Sequence, residues 1–583
     1  MYLGYLFMLF RKYRPLFFVI SLVFFPVLTH AAPDAGSLLQ QQKLQQEQLR
    51  APIDIPDVKD KESVVPKASE QEARVTVKGF KFTGSISVFT EQQLNELLNN
   101  EVGQALTLNE LKALADLVTR YYQDQGYFLA KAFLPPQDVT EGIIIIEIQE
   151  GRLDSSDAGL QLLGEVNRTN PDFIRSLFTD AMSQGDVVSQ SKLERAILLV
   201  NNTPGLKASV NLEPGVETGT TRVAMTLTEE PVAAYSASFD NTGSRYTGAE
   251  RVTGNAVFSG LSGYADQLVL SANASNKDNT YLYAAYDSAI GTQGLRGGVS
   301  FSRLDYKLGE EFKSLNAEGY AEELIFRVSY PLVLRQFEQI NLTASYDFKD
   351  LEDESAGSIT KQRDIDVVRV GANWQKTDSW QGGGITSING QFSVGELDLT
   401  GVITAFNQDQ ATLKTNGHYQ KATYGFSRLQ RVVDDVNLLA RVSGQIAGDN
   451  LDSSEELQVG GAYGVRAYPS GEANGDEGNL LTLELQKVFK RNTMLGDIQG
   501  SVFFDKAWVT QNHNNRLVAQ TQNDFQVQGW GLGLTASNPG KSQINLTWAH
   551  KIGKNPLRDS QTGNDSDGTN DDQRFWITAS INF

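Results

Sequence analysis

Beyond Pro231 the chain consists almost entirely of segments of about ten residues in which apolar and polar side chains alternate, divided by turn residues. "NLLARVSGQIA", "QINLTWAHKI" and "RFWITASINF" show the pattern. A period of two places successive side chains on opposite faces of a strand. Past the N-terminus no apolar run is long enough for a helix to cross a membrane, so any crossing must be made by strands. About sixteen such segments precede Phe583, an even number with the weak amphipathicity expected of an antiparallel transmembrane barrel. The last segment is the clearest. Phe575, Ile577, Ala579, Ile581 and Phe583 share one face, with Trp576, Thr578, Ser580 and Asn582 opposite. An apolar outer face that ends in an aromatic residue suits insertion into lipid.

The connections support this reading. Short turns such as "GLSGYAD", "GTQG", "RVVDD", "KRNTML" and "NPGK" alternate with long polar stretches. Among the long ones are "KLGEEFKSLNAEGYAE", "KDLEDESAGSITKQRD" and "LDLTGVITAFNQDQATLKTNG". Short turns at one rim and long loops at the other are a barrel asymmetry that a soluble sandwich or propeller has no reason to show.

The N-terminal part is written differently. Arg11, Lys12 and Arg14 precede the apolar stretch Pro15–Leu28, and Thr29-His30-Ala31-Ala32 offers small-residue cleavage sites. Residues 1–31 therefore read as a secretory signal peptide. "SLLQQQKLQQEQLR" (Ser37–Arg50) predicts a short polar helix, assigned to residues 32–51. Residues 52–73, with Pro52, Pro56 and Pro66 among mixed charges, predict an extended linker. Two successive β-α-α-β-β units of about 75 residues follow, over 74–151 and 152–231, a repeated α+β module ahead of a barrel over 232–583. In the first, Thr90 is placed to cap a helix carrying Leu94, Leu97 and Leu98 on one face.

Composition removes several function classes. The chain has no cysteine, four scattered histidines and a formal net charge of −19, so thiol chemistry is absent and a nucleic-acid partner is not expected. No G-x-S-x-G, H-E-x-x-H or P-loop occurs, and neither a catalytic residue, a cofactor nor a metal is expected. "NDSDGTNDD" lacks the ligand order of a calcium loop and reads as a solvated acidic loop tip. "GWGLGL" is glycine alternating along a strand, not a nucleotide fingerprint, because no helix follows it.

One loop stands apart. "GGAYGVRAYPSGEANGDEGN" lies between the eleventh and twelfth strand segments, in the longest connection of the barrel, and holds a single cation, Arg466. Long loops without secondary structure are usually functional or disordered. If this one folds into the barrel, Arg466 needs an acceptor, because an unpaired desolvated charge is costly. Asp505 in "VFFDKAW" is a candidate. Its strand carries Phe503, Asp505 and Ala507 on one face and Phe504, Lys506 and Trp508 on the other, and phase alone does not decide which face points inward.

Two soluble repeats ahead of a sixteen-strand barrel, with V-R-A-Y-P in this loop, resemble the two-partner secretion transporters. These are outer-membrane exporters of haemolysins and filamentous adhesins within the outer-membrane assembly superfamily. The repeats resemble POTRA domains, "LPPQDVTEGIIIIEIQEGRL" resembles the end of the family's first one, and "FDNTGSRYTGAER" matches its first hairpin. The resemblance implies a plug role for the N-terminal helix. It places Val465, Arg466, Ala467 and Tyr468 on the family's V-R-G-Y/F motif, and Phe503, Asp505 and Ala507 on its F-x-D-x-G motif. Ala467 and Ala507 stand where the family has Gly. It further implies that Arg466 pairs with Asp505 and latches the loop in the lumen, while Phe583 is the candidate barrel-insertion terminus from the apolar face of the last strand. The partners it implies are a secreted client protein held by the POTRA domains, outer-membrane lipid and the barrel assembly machinery, with the transporter a monomer whose POTRA domains lie in the periplasm. The alternative within the superfamily is an insertase. The helix, its linker and the two modules favour export of a client, without nucleotide hydrolysis.

Overall fold

The computed structural model describes residues 32–48, 74–156, 159–493, 495–515 and 522–583. The segments expected to be a signal peptide (1–31) and a linker (52–73) lie outside the described residues. The N-terminal helix α1 spans Ala35–Gln48. The first α+β module runs through β1 (Arg74–Thr76), β2 (Gly79–Gly84), α2 (Glu91–Leu98), β3 (Ala105–Thr107), α3 (Leu108–Asp124), β4 (Lys131–Phe133) and β5 (Ile143–Gln149). Both helices begin on capping boxes, Thr90 with Gln93 and Thr107 with Glu110, which satisfy otherwise orphaned backbone donors. Their apolar faces bury Leu94, Leu98, Val118 and Tyr122 against Ile146 and Ile148 of the sheet.

The second module repeats the plan with β6 (Arg152–Leu153), β7 (Leu160–Leu163), α4 (Pro171–Ala181), α5 (Gln190–Asn201), β8 (Leu206–Pro214) and β9 (Thr220–Glu229). Among the described residues its strand β8 pairs only with β9, which leaves one long edge open. Side chains of α5, of α4 and of the turn before it dock this module on the short turns of the barrel. Arg195 Nη1 donates to Pro331 O at 3.0 Å and its Nη2 to Gln293 O at 3.0 Å. Arg168 Nη1 donates to Ser259 O at 2.9 Å, and Phe173 meets Tyr264 edge-on at 5.7 Å.

From Ala233 the chain forms one closed antiparallel barrel of sixteen strands. The first eight are β10 (Ala233–Asp240), β11 (Arg251–Ser259), β12 (Gln267–Ser275), β13 (Asn279–Ala289), β14 (Arg296–Lys307), β15 (Glu318–Leu334), β16 (Glu338–Ser355) and β17 (Ser358–Asp378). The second eight are β18 (Gly384–Asp398), β19 (Gly417–Val433), β20 (Val436–Ala447), β21 (Glu477–Thr493), β22 (Gly496–Thr510), β23 (Asp524–Asn538), β24 (Ser542–Lys551) and β25 (Gln573–Asn582). Closure is made by Ser236–Asp240 of β10 against Thr578–Asn582 of β25. Phe583 follows β25, exposed, with its N–H donating to Tyr235 O at 2.9 Å.

One connection differs from its sequence reading. "KDLEDESAGSITKQRD" is not a loop: β16 and β17 continue through it to a tight turn at Ala356-Gly357. Its acidic composition imitates a loop, but the period of two persists there, with Leu351, Arg363 and Ile365 buried while Asp350 and Asp364 oppose each other on the other face. "LDLTGVITAFNQDQATLKTNG" holds a short helix, α6 (Ile403–Ala411).

Candidate functional site

Among the described residues the lumen holds two elements, α1 and the loop over residues 448–476. The helix is mostly polar, yet Ala35, Leu38, Leu39, Gln42 and Gln45 are all buried. It lies against β14, β15 and β16 and is held by polar contacts to wall and loop. Lys43 Nζ reaches Glu323 Oε1 at 2.5 Å, Gln45 Nε2 donates to Asp240 Oδ2 at 2.8 Å, and Gln458 Nε2 donates to Ser37 O at 2.6 Å. Leu38 and Leu39 add some apolar burial, but the polar contacts can be exchanged for water as the helix leaves, so they oppose its removal less than a fully apolar face would.

The loop carries its own core. Val459, Val465, Ala467, Tyr468 and Ala473 pack on Phe503, Ala507, Val509, Phe525, Val527 and Ala549 of β22, β23 and β24. Phe503, Asp505 and Ala507 therefore face inward, and their face is apolar because the loop covers it. Within this patch Arg466 grips Asp505 with both arms of its guanidinium, Nε to Oδ2 at 2.9 Å and Nη2 to Oδ1 at 3.0 Å. Its Nη1 donates to Glu484 Oε2 at 2.7 Å, and its guanidinium carbon lies 3.3 Å from the centre of the Phe503 ring. Asp505 is fully buried, and Thr482 Oγ1 also donates to it at 3.0 Å. Such bidentate, charge-assisted pairs are among the strongest polar contacts in proteins.

The loop also touches both sides of the barrel closure. Trp576 Nε1 on β25 donates to Arg466 O at 2.8 Å, while Ser470 Oγ donates to Thr242 O, just past β10, at 2.9 Å. The connection before β25 closes over it: Asn555 Nδ2 and Ser566 N donate to the Glu472 carboxylate at 2.8 and 2.7 Å. That connection contains "NDSDGTNDD", which is not the solvated tip expected from its composition. Asp565 is buried and paired with Lys551, with Arg558 at 3.0 Å and with Arg574 at 3.3 Å.

A second anchor ties loop and helix to the opposite wall. Glu455 is fully buried and meets Lys349, Arg369 at 2.6 Å and Lys421 at 2.8 Å. Burial alone would raise its carboxyl, but the charges of Arg369, Lys349 and Lys421 hold it well below the usual carboxylate range. Asp452 pairs with Lys361 at 3.1 Å and with Arg363 at 3.4 Å. The same Arg363, fully buried on β17, also holds Asp353 and, at 2.7 Å, Asp34 at the entrance to α1.

Ala467, standing at a position of the resembled V-R-G-Y motif, is accommodated by a glycine elsewhere. Gly529 on β23 faces it, and a Cβ at 529 would lie 2.4 Å from the Ala467 Cβ. Gly529→Ala is expected to destabilise the barrel by about 1–3 kcal/mol through overpacking, with Ala467→Gly restoring most but not all of it in the double variant, since the new Cβ still lies 3.0 Å from His550 O. Thermal loss of heat-modifiable mobility on gels measures both; a Gly529→Ala barrel as stable as the parent would contradict the packing.

The family described as "Haemolysin secretion/activation protein ShlB/FhaC/HecB" matches residues 219–536, more than half of the chain, and "POTRA domain, ShlB-type" matches residues 75–151. The chain belongs to this haemolysin secretion/activation family. Its members are transporters of two-partner secretion, and this one is an outer-membrane transporter whose POTRA domains lie in the periplasm. The match favours export over the insertase alternative. Among its relatives, the heme/hemopexin transporter protein HuxB of Haemophilus influenzae (strain 86-028NP) is 27% identical over 480 residues, covering 79% of this chain and 81% of HuxB. The outer membrane transporter CdiB of Dickeya dadantii (strain 3937) is 22% identical over 455 residues, covering 76% and 77%. The fold is shared with solved CdiB structures. That from Escherichia coli has a TM-score of 0.74 at 19% identity, covering 95% of this chain and all 100% of that one; that from Acinetobacter baumannii has 0.66 at 15%, with the same coverage.

Of the residues singled out in the sequence, Val465, Arg466, Ala467, Tyr468, Phe503 and Asp505 gather in one place, and Phe583 stands apart at the barrel end. Sequence reasoning missed Glu484, Trp576 and the cations around Glu455. The alternating glycines of "GWGLGL" were a usable signal for Gly529, since they strip one strand face of side chains where the loop lies.

Proposed function

We propose that this transporter carries one large, unfolded partner protein (an adhesin, haemolysin or toxin) from the periplasm to the cell surface, through the lumen that α1 fills at rest. The observation that carries this reading is the polar helix seated in the lumen by hydrogen bonds and ion pairs, which can leave as a unit. The open edge of β8 offers a strand-addition site for an extended client. In this mechanism, POTRA capture brings the client to the pore, α1 leaves, and the loop stays latched through Arg466 and Asp505 while the client passes beside it. Folding of the client outside biases movement outward without nucleotide hydrolysis, and no enzymatic step is needed. The transporter works as a monomer, inserted by the barrel assembly machinery.

The test compares cells with and without this gene by mass spectrometry of the medium and outer surface. Export by this route is expected to remove one large protein from the exterior and leave it in the periplasm, intact or degraded. An unchanged exterior with several integral barrels depleted would replace the reading with an insertase.

A further inference from the structure

A barrel wall in an outer membrane faces hydrocarbon over its middle, so a depression in that wall fills with lipid tails rather than water. One such depression, of about 710 Å³, crosses β21 to β25 on the outer face of the barrel. Its floor follows the strand register from Lys487 to Gly500, then Leu534, then Leu546. Gly500 has no side chain, which gives the trough its depth, and the Phe489 ring overhangs it: a Cβ at 500 would lie 2.4 Å from that ring. Leu534 and Leu546 expose their side chains to the trough, and Trp548 and Phe575 line its part away from Lys487.

Lys487 supplies the charge. It stands opposite Val436, the first residue of β20, and so lies level with a short turn, at the rim where the POTRA domain docks. That rim is periplasmic, and the leaflet there is phospholipid. Among the described residues no carboxylate pairs with Lys487; its neighbour is the Phe489 ring, 5.9 Å from Nζ. A lone ammonium at headgroup height above an apolar trough is complementary to a phosphate that carries an acyl chain.

We propose that this trough is a binding site for one anionic phospholipid of the inner leaflet, with the phosphate on Lys487 and an acyl chain along Leu534 and Leu546. The lipid lies behind β22, whose other face carries Phe503 and Asp505, so it braces the wall that receives the loop.

The experiment titrates phosphatidylglycerol and phosphatidylethanolamine into the delipidated full-length protein in detergent and reads retained lipid by native mass spectrometry. One phosphatidylglycerol per chain is expected to be retained in preference to phosphatidylethanolamine. Lys487→Gln is expected to reduce phosphatidylglycerol retention about fivefold and phosphatidylethanolamine retention less, because the ethanolamine ammonium already offsets that lipid's phosphate charge. Leu546→Trp, an exposed position whose enlargement fills the trough without touching Gly500, is expected to abolish retention of both. A broad ladder of stoichiometries, or equal retention by the parent, Lys487→Gln and Leu546→Trp proteins, would mean a general lipid annulus and overturn the site.

Discussion

Arg466→Ala is expected to remove most export while leaving the barrel folded and inserted. The barrel rests on the hydrogen-bond ladders of sixteen closed strands, none of which involves Arg466. The loop, in contrast, loses three charge-assisted bonds and a cation–ring contact, and Asp505 is left fully buried without its partner. Breaking one side of a buried pair typically costs about 3–5 kcal/mol, more than about a hundredfold in the population of the docked loop. An undocked loop uncovers Phe503, Phe525 and Val527, an apolar patch that would retard an unfolded client in the lumen. Arg466→Lys is expected to recover only part of the export, because a single ammonium cannot span both Asp505 oxygens and Glu484 at once. Heat-modifiable mobility reports the barrel and client in the medium reports export; normal export by Arg466→Ala would remove the latch from the mechanism.

The second large effect is expected at Arg363. Its guanidinium joins the start of α1 (Asp34), the wall (Asp353) and the loop (Asp452), so Arg363→Ala leaves three carboxylates facing one another with only Lys361 nearby. Like charges at this distance favour separation, and the element free to separate is the helix. The expected result is a resting pore that leaks: higher steady current in planar bilayers and greater sensitivity of cells to large hydrophilic antibiotics. Deleting residues 35–48 should give the same phenotype, since both changes take α1 out of the lumen. A tight pore in the Arg363→Ala protein would show that the contacts of Lys43, Gln45 and Gln458 hold the helix without it.

The barrel was legible because its signal is repeated in every strand and needs no long-range information. The face assignment of β22 was not. Polarity normally marks the lumen side of a barrel strand, but here the loop dries that side, while Lys506 points outward and stacks on Trp508 at 4.8 Å. Arg466 could be found as the only cation of its loop. Its second acceptor Glu484 could not, because nothing in the sequence fixes how β21 registers against β22. The cations around Glu455 were invisible for the same reason. Lys349, Arg369 and Lys421 lie on β16, β17 and β19, and only barrel closure and the inward fold of the loop bring them to one carboxylate. Alternation also continued unread through the acidic tip of β16 and β17, where composition outweighed period.

The most direct test of the whole account uses the absence of cysteine. Gln42 lies in the middle of α1 and is 3% exposed, so Gln42→Cys introduces the only thiol of the chain in a position shielded by the seated helix. With a membrane-impermeant maleimide, this variant is expected to be unreactive in resting cells and to label when the partner protein is expressed and exported. Full export with the thiol still protected would mean that α1 stays in the lumen, and that the client does not pass through the space it fills.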